Sequence, residues 1–362
     1  MKILLLIKHF DFGGAENHVC DLANELVRSG HKIWLLSGKG RQNNRLQPGV
    51  VNDSVTFSEL NMLPILFEIA KLIRQEQIEV IHAHQRFTIF LATLAGLLTK
   101  TPVIATVHGS IYHDLRSGFV RKKITGLIVC NENVYNIREQ IPVLSRKLHL
   151  IPNGFVIPPS ECLKTNEDHH FNFYYISRLD NRHACLIINI ITKVWPQLIE
   201  KHPSSTFHIV GDGQGLRKIK KVLALPCHNK WSHSVVCDEY SDNVALHYQK
   251  ADLVMGVGRV ACESLIYGVP TLSIKHNHLG PIITRDNFEE ICFSNFVAIK
   301  APPIQPERLL NILEDFIFRF VYYKKEAGHL QKIATQRFNI QDIVLKTVEV
   351  YRNAIIEKTG EE

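Results

Sequence analysis

Short apolar runs alternate with segments of helical spacing along the first 150 residues. The runs are rich in Ile, Val and Leu and read, in chain order, KILLLI, HKIWLLSG, VIHAH, PVIATVHG, LIVCN and LHLIPNG. Strands that are apolar on both faces and alternate with helices are typical of a parallel sheet covered by helices on both sides. The pattern therefore predicts a doubly wound, Rossmann-like α/β domain over residues 1–158.

A polar stretch with two prolines, VIPPSECLKTNEDHH, interrupts the alternation, and we interpret residues 159–170 as a linker. The alternation resumes with FNFYYISRL, FHIVGDG, SVVC, ADLVMGVG, PTLSI and NFVAI, which predicts a second domain of the same class over residues 171–340. Residues 341–362 are predicted to form a C-terminal helix that packs back on the N-terminal domain. Because ligands of such sheets bind beyond the carboxyl ends of the strands, we expect the site in a cleft between two facing domains.

The composition and the lengths of the apolar runs indicate which class of protein this chain belongs to. The 362 residues are 45% hydrophobic and 21% charged, as in globular domains. The first apolar run is too short for a signal-peptide core, and the longest apolar segment, residues 87–98, is about half of a bilayer crossing. Eight cysteines stand singly and predict free thiols. We expect a cytoplasmic protein, either free or peripheral on the inner face of the membrane; the oligomeric state stays open.

The formal net charge of +7 favours an anionic partner. Part of the surplus lies in RSGFVRKK (residues 116–123) and RKIKK (residues 217–221), which the simplest interpretation makes solvated faces. An anionic membrane surface or a polyanionic substrate is the next interpretation. Nucleic acid is not expected, since no recognition motif accompanies the charge.

Two glycine-rich loops each follow an apolar strand and precede a helix. Gly13 and Gly14 leave room for an anion to reach backbone amides at the positive end of the helix, although a tight turn alone would also favour glycine. The loop IVGDGQG, which contains Gly211, Asp212 and Gly213, repeats this arrangement in the second domain. It lacks the dinucleotide fingerprint, so a nicotinamide cofactor is disfavoured and no cofactor is expected.

Basic and acidic side chains follow other strand ends of the second domain. Arg178, Arg182 and His183 lie in YISRLDNRHA, where an arginine fork suits phosphate oxygens and a surface salt bridge with Asp180 is the alternative. Glu263, in GVGRVACESLIYGVP, could accept hydrogen bonds from a ribose diol or could cap the helix start.

Several histidines lie at or near the ends of predicted strands. His108 ends the strand in TVHGS and could face the same cleft, although a lone histidine is more often structural. The pairs HAH (residues 82 and 84) and HNH (residues 276 and 278) have no third ligand at suitable spacing beside them. No metal site is predicted.

Seven segments together resemble the retaining nucleotide-sugar glycosyltransferases of GT-B architecture, family four, which are related to glycogen and sucrose-phosphate synthases. They are GGAENHVCDLANELVRSGHKI, VIHAH, TVHG, LIPNG, SRLDNR, HIVGDG and ADLVMGVGRVACESLIYGVP, in family order and spacing over nearly the whole chain. The resemblance implies a GT-B fold and metal-independent transfer of a sugar with retention at the anomeric carbon.

The resemblance also implies roles for individual residues. Gly13 and Gly14 would approach the donor diphosphate, Gly14 and Glu16 the acceptor, and His108 and Arg178 would act in catalysis. The remaining donor-binding positions are Arg182, His183, Gly211, Asp212, Gly213, Gly258, Arg259 and Glu263, the last on the ribose hydroxyls. Two positions depart from the family: Met255 stands where a glutamate contacts the donor sugar, and His183 where a lysine pairs with the diphosphate arginine.

The sequence thus predicts a glycosyltransferase that moves a sugar from a nucleoside diphosphate, UDP as the first choice, to a glycan or lipid-linked acceptor in cell-surface polysaccharide or glycolipid synthesis. Two alternatives stay open. One is a catalytically silent GT-B relative that binds a nucleotide or glycan as a partner subunit. The other is a GT-B epimerase of UDP-sugars, which would need several carboxylates in its site.

Overall fold

The computed structural model describes residues 1–11, 13–109, 111, 114–136, 141–158, 170–238 and 244–360. The predicted linker lies outside these residues except for His170, as do the last two residues of the predicted C-terminal segment. Residue contacts divide the chain into a first unit, Met1–Val156 with Phe338–Glu362, and a second unit, Ile157–Arg337.

The first unit is built on a seven-stranded parallel sheet in the order β3-β2-β1-β4-β5-β6-β7. Its elements are β1 (Lys2–Ile7), α1 (Gly14–Arg28), β2 (Lys32–Ser37), β3 (Val50–Ser54), α2 (Met62–Glu76), β4 (Val80–His84), α3 (Arg86–Thr99), β5 (Val103–Val107), α4 (Leu115–Lys123), β6 (Gly126–Val129), α5 (Glu132–Tyr135) and β7 (Leu148–Leu150). The strand β1 is central and almost wholly buried, as its uninterrupted apolar run predicts.

The last helix of the chain, which we number α14 (Ile340–Thr359), belongs to the first unit. Backbone hydrogen bonds join Phe155 to Phe338 and Ile340, and the rings of Phe155 and Phe338 meet edge to face. Apolar side chains of α14, among them Ile343 and Tyr351, share a core with β1 and α1. The hydrophobic stripe of α14 therefore completes the core of the first unit.

The second unit contains a six-stranded sheet in the order β10-β9-β8-β11-β12-β13. Its elements are β8 (Asn172–Ile176), α6 (Asn181–Asn189), a π-helical segment (Ile190–Val194), α7 (Trp195–Lys201), β9 (Thr206–Val210), α8 (Gln214–Leu223), β10 (Val235–Asp238), α9 (Ala245–Lys250), β11 (Leu253–Gly256), α10 (Arg259–Ile266), β12 (Thr271–Lys275), β13 (His278–Ile282), α11 (Phe288–Phe293), α12 (Pro306–Phe318) and α13 (Phe320–Arg337).

The observed strands differ in three places from those that the apolar pattern predicts. The strand β3 was not among the predicted runs, because its residues are mostly polar and it lies at the sheet edge. The segment NFVAI is not a strand: Phe296 is buried in an irregular segment, and its carbonyl accepts a hydrogen bond from Ser273. The last strand, β13, instead pairs antiparallel with β12.

Both sheets reverse their strand order at one place, between β1 and β4 in the first unit and between β8 and β11 in the second. At such a reversal the connections leave towards opposite faces of the sheet, which opens a crevice at the carboxyl ends of the strands. The two glycine-rich loops follow β1 and β9, so the predicted site residues lie at these carboxyl edges.

Candidate functional site

In the first unit, the glycine loop lies at the sheet reversal. Gly13 precedes α1 with φ of +153°, a backbone conformation that favours glycine. One turn into α1, Glu16 accepts a hydrogen bond through Oε1 from Nε2 of Gln85, over 2.9 Å. Gln85 directly follows β4, so this bond spans the reversal. The predicted acceptor residues Gly14 and Glu16 thus lie between the ends of β1 and β4.

Four histidines from three elements meet next to this loop. Nδ1 of His84 lies 3.2 Å from Nε2 of His108, and the ring centroid of His18 lies 5.2 Å from that of His108. Burial lowers the pKa of His108 to about 4 and the pKa of His82 to about 3, and it lowers that of His84 well below its usual value. The imidazoles of His82, His84 and His108 are therefore neutral at pH 7.

The sequence pattern indicates His82, His84 and His108 as candidates but gives no such indication for His18 and Cys130. His18 lies on the buried face of α1. Its spacing of four residues from Gly14 places it on the same side of the helix as the glycine loop, and this spacing is the feature of the sequence that could have identified it. Sγ of Cys130 lies 3.7 Å from Nδ1 of His108 and 3.2 Å from Oδ1 of Asn153, and burial raises the pKa of the Cys130 thiol to about 12.

Both ring nitrogens of His82 are already engaged by protein groups. Nδ1 lies 2.6 Å from the hydroxyl of Tyr351 on α14, and Nε2 lies 2.7 Å from Oγ1 of Thr106 on β5. His82 is therefore a structural link between the sheet and the last helix. Over the described ranges of the chain, no group of three or more His, Cys, Asp or Glu side chains could hold a metal ion.

A pocket of about 300 Å³ opens beside His108 in the first unit. Its apolar wall comes from β5, β6, α3, α4 and the segments that flank α4, and consists of Ile89, Val107, Ile111, Val120, Ile124 and Leu127. Three arginines also line it, Arg86 from the start of α3 and Arg116 and Arg121 from α4. Ala15 and Gln85 connect the pocket with the glycine loop. The sequence does not predict this pocket, because its wall combines side chains from several separate elements.

In the second unit, the loop after β9 packs closely against the loop after β8. Gly211 and Gly213 have φ of +145° and +144°. A Cβ at Gly211 would overlap the carbonyl oxygen of Ser177, and one at Gly213 would overlap that of Leu179. The two loops are also joined by a hydrogen bond of 2.9 Å from the Leu179 amide to the Asp212 carbonyl. Loop packing therefore requires these glycines whether or not a ligand binds.

The exposed residues after β8 form the N-terminal cap of α6. Oδ1 of Asp180 accepts hydrogen bonds from the backbone amides of Arg182 and His183 and from Nδ1 of His183. The amide of His183 contributes most to holding the pKa of Asp180 below its usual range. Asp180 is thus the N-cap of α6. Within the described part of the chain, the guanidinium groups of Arg178 and Arg182 form no ion pair.

His183 also contacts a histidine at the carboxyl end of another strand of the second sheet. Its ring centroid lies 4.6 Å from that of His276, which follows β12. Burial and the neighbouring His183 lower the pKa of His276. From the sequence, His276 is a candidate only for a metal pair with His278. The contact with His183 is not predictable, because 93 positions separate the two histidines.

Glu263 is held at both carboxylate oxygens in the first turns of α10. Oε1 accepts a hydrogen bond of 2.7 Å from Nε of Arg259, and Oε2 accepts one of 2.9 Å from the hydroxyl of Tyr248 on α9. Gly258, with φ of +59°, precedes the helix as its N-cap. The side chain of Glu263 is therefore fixed by Arg259 and Tyr248 and does not cap the helix start, the alternative considered from sequence.

Met255, which the family resemblance aligns with a sugar-contacting glutamate, lies on β11 and is 1% exposed. It packs in the main core of the second unit with Tyr175, Leu253 and Leu272. Its side chain therefore contributes to packing of the sheet. A carboxylate at this position would have to be desolvated in an apolar core.

Comparison with known proteins matches residues 12–157 to the family described as Glycosyltransferase Family 4. An Escherichia coli relative, UDP-Gal:alpha-D-GlcNAc-diphosphoundecaprenol alpha-1,3-galactosyltransferase, is 24% identical over 182 residues, 43% of this chain and 46% of that protein. The phosphatidylinositol N-acetylglucosaminyltransferase gpi3 subunit of Schizosaccharomyces pombe is 23% identical over 94% of this chain and 77% of that protein.

The fold has well-matched counterparts among solved structures. The Anabaena protein Alr3699/HepE, crystallised in complex with UDP-glucose, superimposes with a TM-score of 0.74 at 18% identity, covering 98% of this chain and 100% of that chain. The match includes both units and confirms the α/β, GT-B fold that the sequence predicts.

Proposed function

We propose that this chain is a GT-B glycosyltransferase that transfers a sugar from a UDP-sugar to a lipid-linked acceptor with retention at the anomeric carbon. The match of residues 12–157 to Glycosyltransferase Family 4, the similar curated proteins and the fold support this proposal. The observation that carries this proposal is the set of side chains at the carboxyl edge of the second sheet. Among them, Glu263 is held at both carboxylate oxygens by Arg259 and Tyr248. The pathway is that of a cell-surface glycan or glycolipid.

The nucleoside part of the donor is assigned to Glu263. A carboxylate has about four lone-pair sites, and Arg259 and Tyr248 occupy one on each oxygen. One site on each oxygen stays available for a ribose hydroxyl. Because the carboxylate is held before the donor arrives, little side-chain entropy is lost on binding.

The diphosphate is assigned to Arg178 and to the loop that contains Gly211, Asp212 and Gly213. Arg178 is exposed, and Asp180 does not neutralise its guanidinium but caps α6 instead. An unpaired guanidinium can form two parallel hydrogen bonds to phosphate oxygens. As the bond to the sugar breaks, negative charge grows on the leaving diphosphate, and these donors stabilise it without a metal ion. Arg182, His183, Gly258 and Arg259 are the further donor-binding residues of the proposal.

The acceptor is assigned to the first unit, with Gly14 and Glu16 beside the pocket and His108 next to the transferred sugar. The names of both curated relatives describe an acceptor in which a lipid carries phosphate. The pocket combines an apolar wall with three arginines, of which Arg86 pairs with Asp114 and Arg116 with Glu59. Such a mixed lining suits an anionic group attached to an apolar chain. The low pKa of His108 makes it a neutral hydrogen-bonding group near the sugar at pH 7.

The proposal is tested by incubating the full chain with UDP-glucose, UDP-galactose or UDP-N-acetylglucosamine and either a polyprenyl diphosphate sugar or phosphatidylinositol. We expect UDP release that depends on the acceptor, and a product whose anomeric configuration, read by NMR coupling, equals that of the donor. Arg178→Gln should lower turnover, whereas Arg217→Gln, an exposed arginine on α8, should not. UDP binding without turnover of any donor would instead favour the silent relative.

A further inference from the structure

Gln85 joins both ends of the glycine loop of the first unit. Its Oε1 accepts a hydrogen bond of 3.0 Å from the backbone amide of His9, which follows β1. Its Nε2 donates the bond of 2.9 Å to Oε1 of Glu16 in the first turn of α1. One side-chain amide thus accepts at one end of the loop and donates at the other, which neither an ionised carboxylate nor an alkyl chain can do.

The local backbone does not account for a glutamine at this position. Gln85 has φ of +65° and ψ of +145°, a conformation that glycine adopts readily and other residues adopt only at a cost in stability. Gln77 and Lys100 also have positive φ, but they lie in the ordinary left-handed conformation at the ends of helices. Gln85 precedes α3, and its side-chain amide bonds to the glycine loop instead of capping that helix. The strained backbone therefore accompanies a side chain that serves the glycine loop.

The bond from Gln85 fixes the carboxylate of Glu16 at the start of α1. A Cβ at Gly13 would overlap Oε2 of Glu16, so the carboxylate lies directly against the glycine loop. There it interacts favourably with the positive end of the helix. A phosphate group that entered this loop would meet the negative charge of Glu16, whereas a hydroxyl group can donate a hydrogen bond to it. The loop therefore favours a hydroxyl over a phosphate.

Gln85 also belongs to the pocket that we assign to the acceptor. It lines this pocket together with Ala15, the chain neighbour of Glu16, and with His108. Arg116 and Arg121 line the same pocket from α4. An acceptor that carries both phosphate and hydroxyl groups would thus meet cations in the pocket and a fixed carboxylate beside it.

We propose that Gln85 is a positioning residue of the acceptor site, which holds the Glu16 carboxylate where it accepts a hydrogen bond from the reacting hydroxyl of a sugar or other polyol. Gln85 acts through Glu16 and not on the reacting atoms. The proposal rests on the proposed function, because it takes the acceptor to bind at Glu16. It adds the residue that aligns this carboxylate and the chemical group that the carboxylate recognises.

Steady-state kinetics of the full chain with a UDP-sugar and either a polyprenyl diphosphate sugar or phosphatidylinositol test the proposal. Gln85→Gly should raise the KM for the acceptor by about 10-fold, because Glu16 loses the group that fixes it. The KM for the UDP-sugar should stay within about twofold, since the proposed donor groups lie on the second unit. Gln77→Gly is the matched control: it makes the same substitution at another positive-φ position of the first unit and should change neither KM.

Stability separates a positioning role from a structural one. Gln85→Gly and Gln85→Ala remove the same side-chain amide, but only glycine relieves the backbone. The glycine variant should therefore unfold at a higher urea concentration than the alanine variant, whereas both should have the same raised KM for the acceptor. If Gln85 were only structural, the KM would instead follow the stability.

Gln85→Glu gives a readout that depends on a proton. The ionised carboxyl group of this variant repels Glu16, whereas its protonated form can donate a hydrogen bond as the amide does. Because two adjacent carboxylates raise the pKa of one of them, the acceptor KM of Gln85→Glu should approach that of the parent as the pH falls from about 8 to about 5. Division by the parent's KM at each pH removes the titration of native groups such as Glu16 and His108. The same ratio for Gln85→Gly should stay constant.

The proposal would be overturned by an unchanged acceptor KM in Gln85→Gly, or by a KM ratio of Gln85→Glu that does not change with pH. It would also be overturned if Gln85→Gly lost UDP affinity in calorimetry as strongly as it lost acceptor affinity, since Gln85 would then be structural. If the parent turns over no donor, the proposed function fails. Calorimetry with the same two acceptors then measures acceptor binding directly, and equal affinity of the parent and Gln85→Gly, or no binding by the parent, would overturn this proposal as well.

Discussion

Tyr248 donates its hydroxyl hydrogen bond to Oε2 of Glu263, so a buried residue of α9 fixes a carboxylate of α10. Burial and the charge of Glu263 raise the pKa of Tyr248 well above its usual value, which keeps the phenol protonated as a donor. Arg259 holds the other oxygen. Contacts at both oxygens distinguish Glu263 from an ordinary surface carboxylate, whose side chain is free to rotate.

Glu263→Gln should weaken UDP binding by roughly 10- to 100-fold, because hydrogen bonds to a charged group contribute roughly 1.5–3 kcal/mol. The amide keeps the size of the side chain but replaces one acceptor oxygen by a donor. Isothermal titration calorimetry measures the effect. Glu290→Gln, an exposed carboxylate of the same unit that pairs with Lys300, is the control and should bind UDP like the parent. Unchanged affinity in a folded Glu263→Gln protein would remove Glu263 from the donor site.

Tyr248→Phe should weaken UDP binding by less than Glu263→Gln does, since the carboxylate stays but loses one of its two fixed contacts. The loss of one hydrogen bond to a charged, partly buried group should also lower the free energy of unfolding by about 1.5–3 kcal/mol. Calorimetry and urea titration measure the two effects. Tyr322→Phe, at a more exposed tyrosine of α13, should change neither. Parent-like affinity in Tyr248→Phe would show that the alignment of Glu263 is unimportant.

UDP should protect the protein against heat, because the Arg178 region and Glu263 are assembled only in the folded state. At a concentration 100 times its dissociation constant, a ligand that binds only the folded protein adds about 2.7 kcal/mol of stability. For a unit of this size, such a gain raises the melting temperature by roughly 5–10 °C. Inorganic phosphate serves as the control. If neither UDP nor GDP shifts the transition at millimolar concentration, the donor assignment is wrong.

Sugar transfer should survive chelation of divalent metals. The chain has no Asp-x-Asp pair on a loop after a strand, so Arg178 and neighbouring backbone amides would neutralise the leaving diphosphate. Turnover with EDTA is compared with turnover in Mg²⁺ or Mn²⁺. A large loss in EDTA that either metal restores would contradict this mechanism.

Stability should fall as the pH is lowered from about 6.5 to about 4. His108 has a folded-state pKa of about 4, below the value of 6.5 expected in the unfolded chain, so the unfolded state binds the proton first. Its contribution is fully present above pH 6.5 and is lost as the pH approaches 4, on the order of 3 kcal/mol for this group alone. His82 acts in the same direction and continues to lower pH, because its pKa is about 3.

Urea titrations at pH 7, 6, 5 and 4.5 measure this dependence. His82→Gln removes one of the titrating groups, so the difference in unfolding free energy between pH 7 and pH 4.5 should become smaller than in the parent. His233→Gln is the control, since this histidine belongs to the second unit and lies outside the cluster. An equal pH dependence in the parent and in His82→Gln would show that His82 is not buried as a neutral group.

Most of the sheet could be predicted from local sequence. The uninterrupted apolar runs that predict strands match β1, β2, β4, β5, β6 and β7 of the first sheet, and β8, β9, β10, β11 and β12 of the second. A strand buried on both faces needs an apolar residue at nearly every position, so its own residues identify it. The edge strand β3 and the antiparallel strand β13 lack such an uninterrupted apolar run. The buried segment around Phe296 has an apolar run although it is not a strand.

The positions of the glycine loops were also determined by sequence alone, since a left-handed backbone after a strand requires glycine at Gly13, Gly211 and Gly213. The packing of these loops could not be predicted from the sequence. The glycine pattern indicates a ligand, whereas the structure shows that Gly211 and Gly213 are also required by the neighbouring loop at Ser177 and Leu179.

Only the tertiary structure decided which side chains meet. His18, His84 and His108 come from three elements that the sheet order brings together, Tyr248 reaches Glu263 from another helix, and Leu60 and Leu115 flank an ion pair that joins segments 57 positions apart. Met255, which the family resemblance aligns with a sugar-contacting glutamate, packs in the core. Local sequence determines backbone conformation and burial because these depend on each residue's own apolar surface and φ preference, whereas contacts depend on the order in which strands and helices pack.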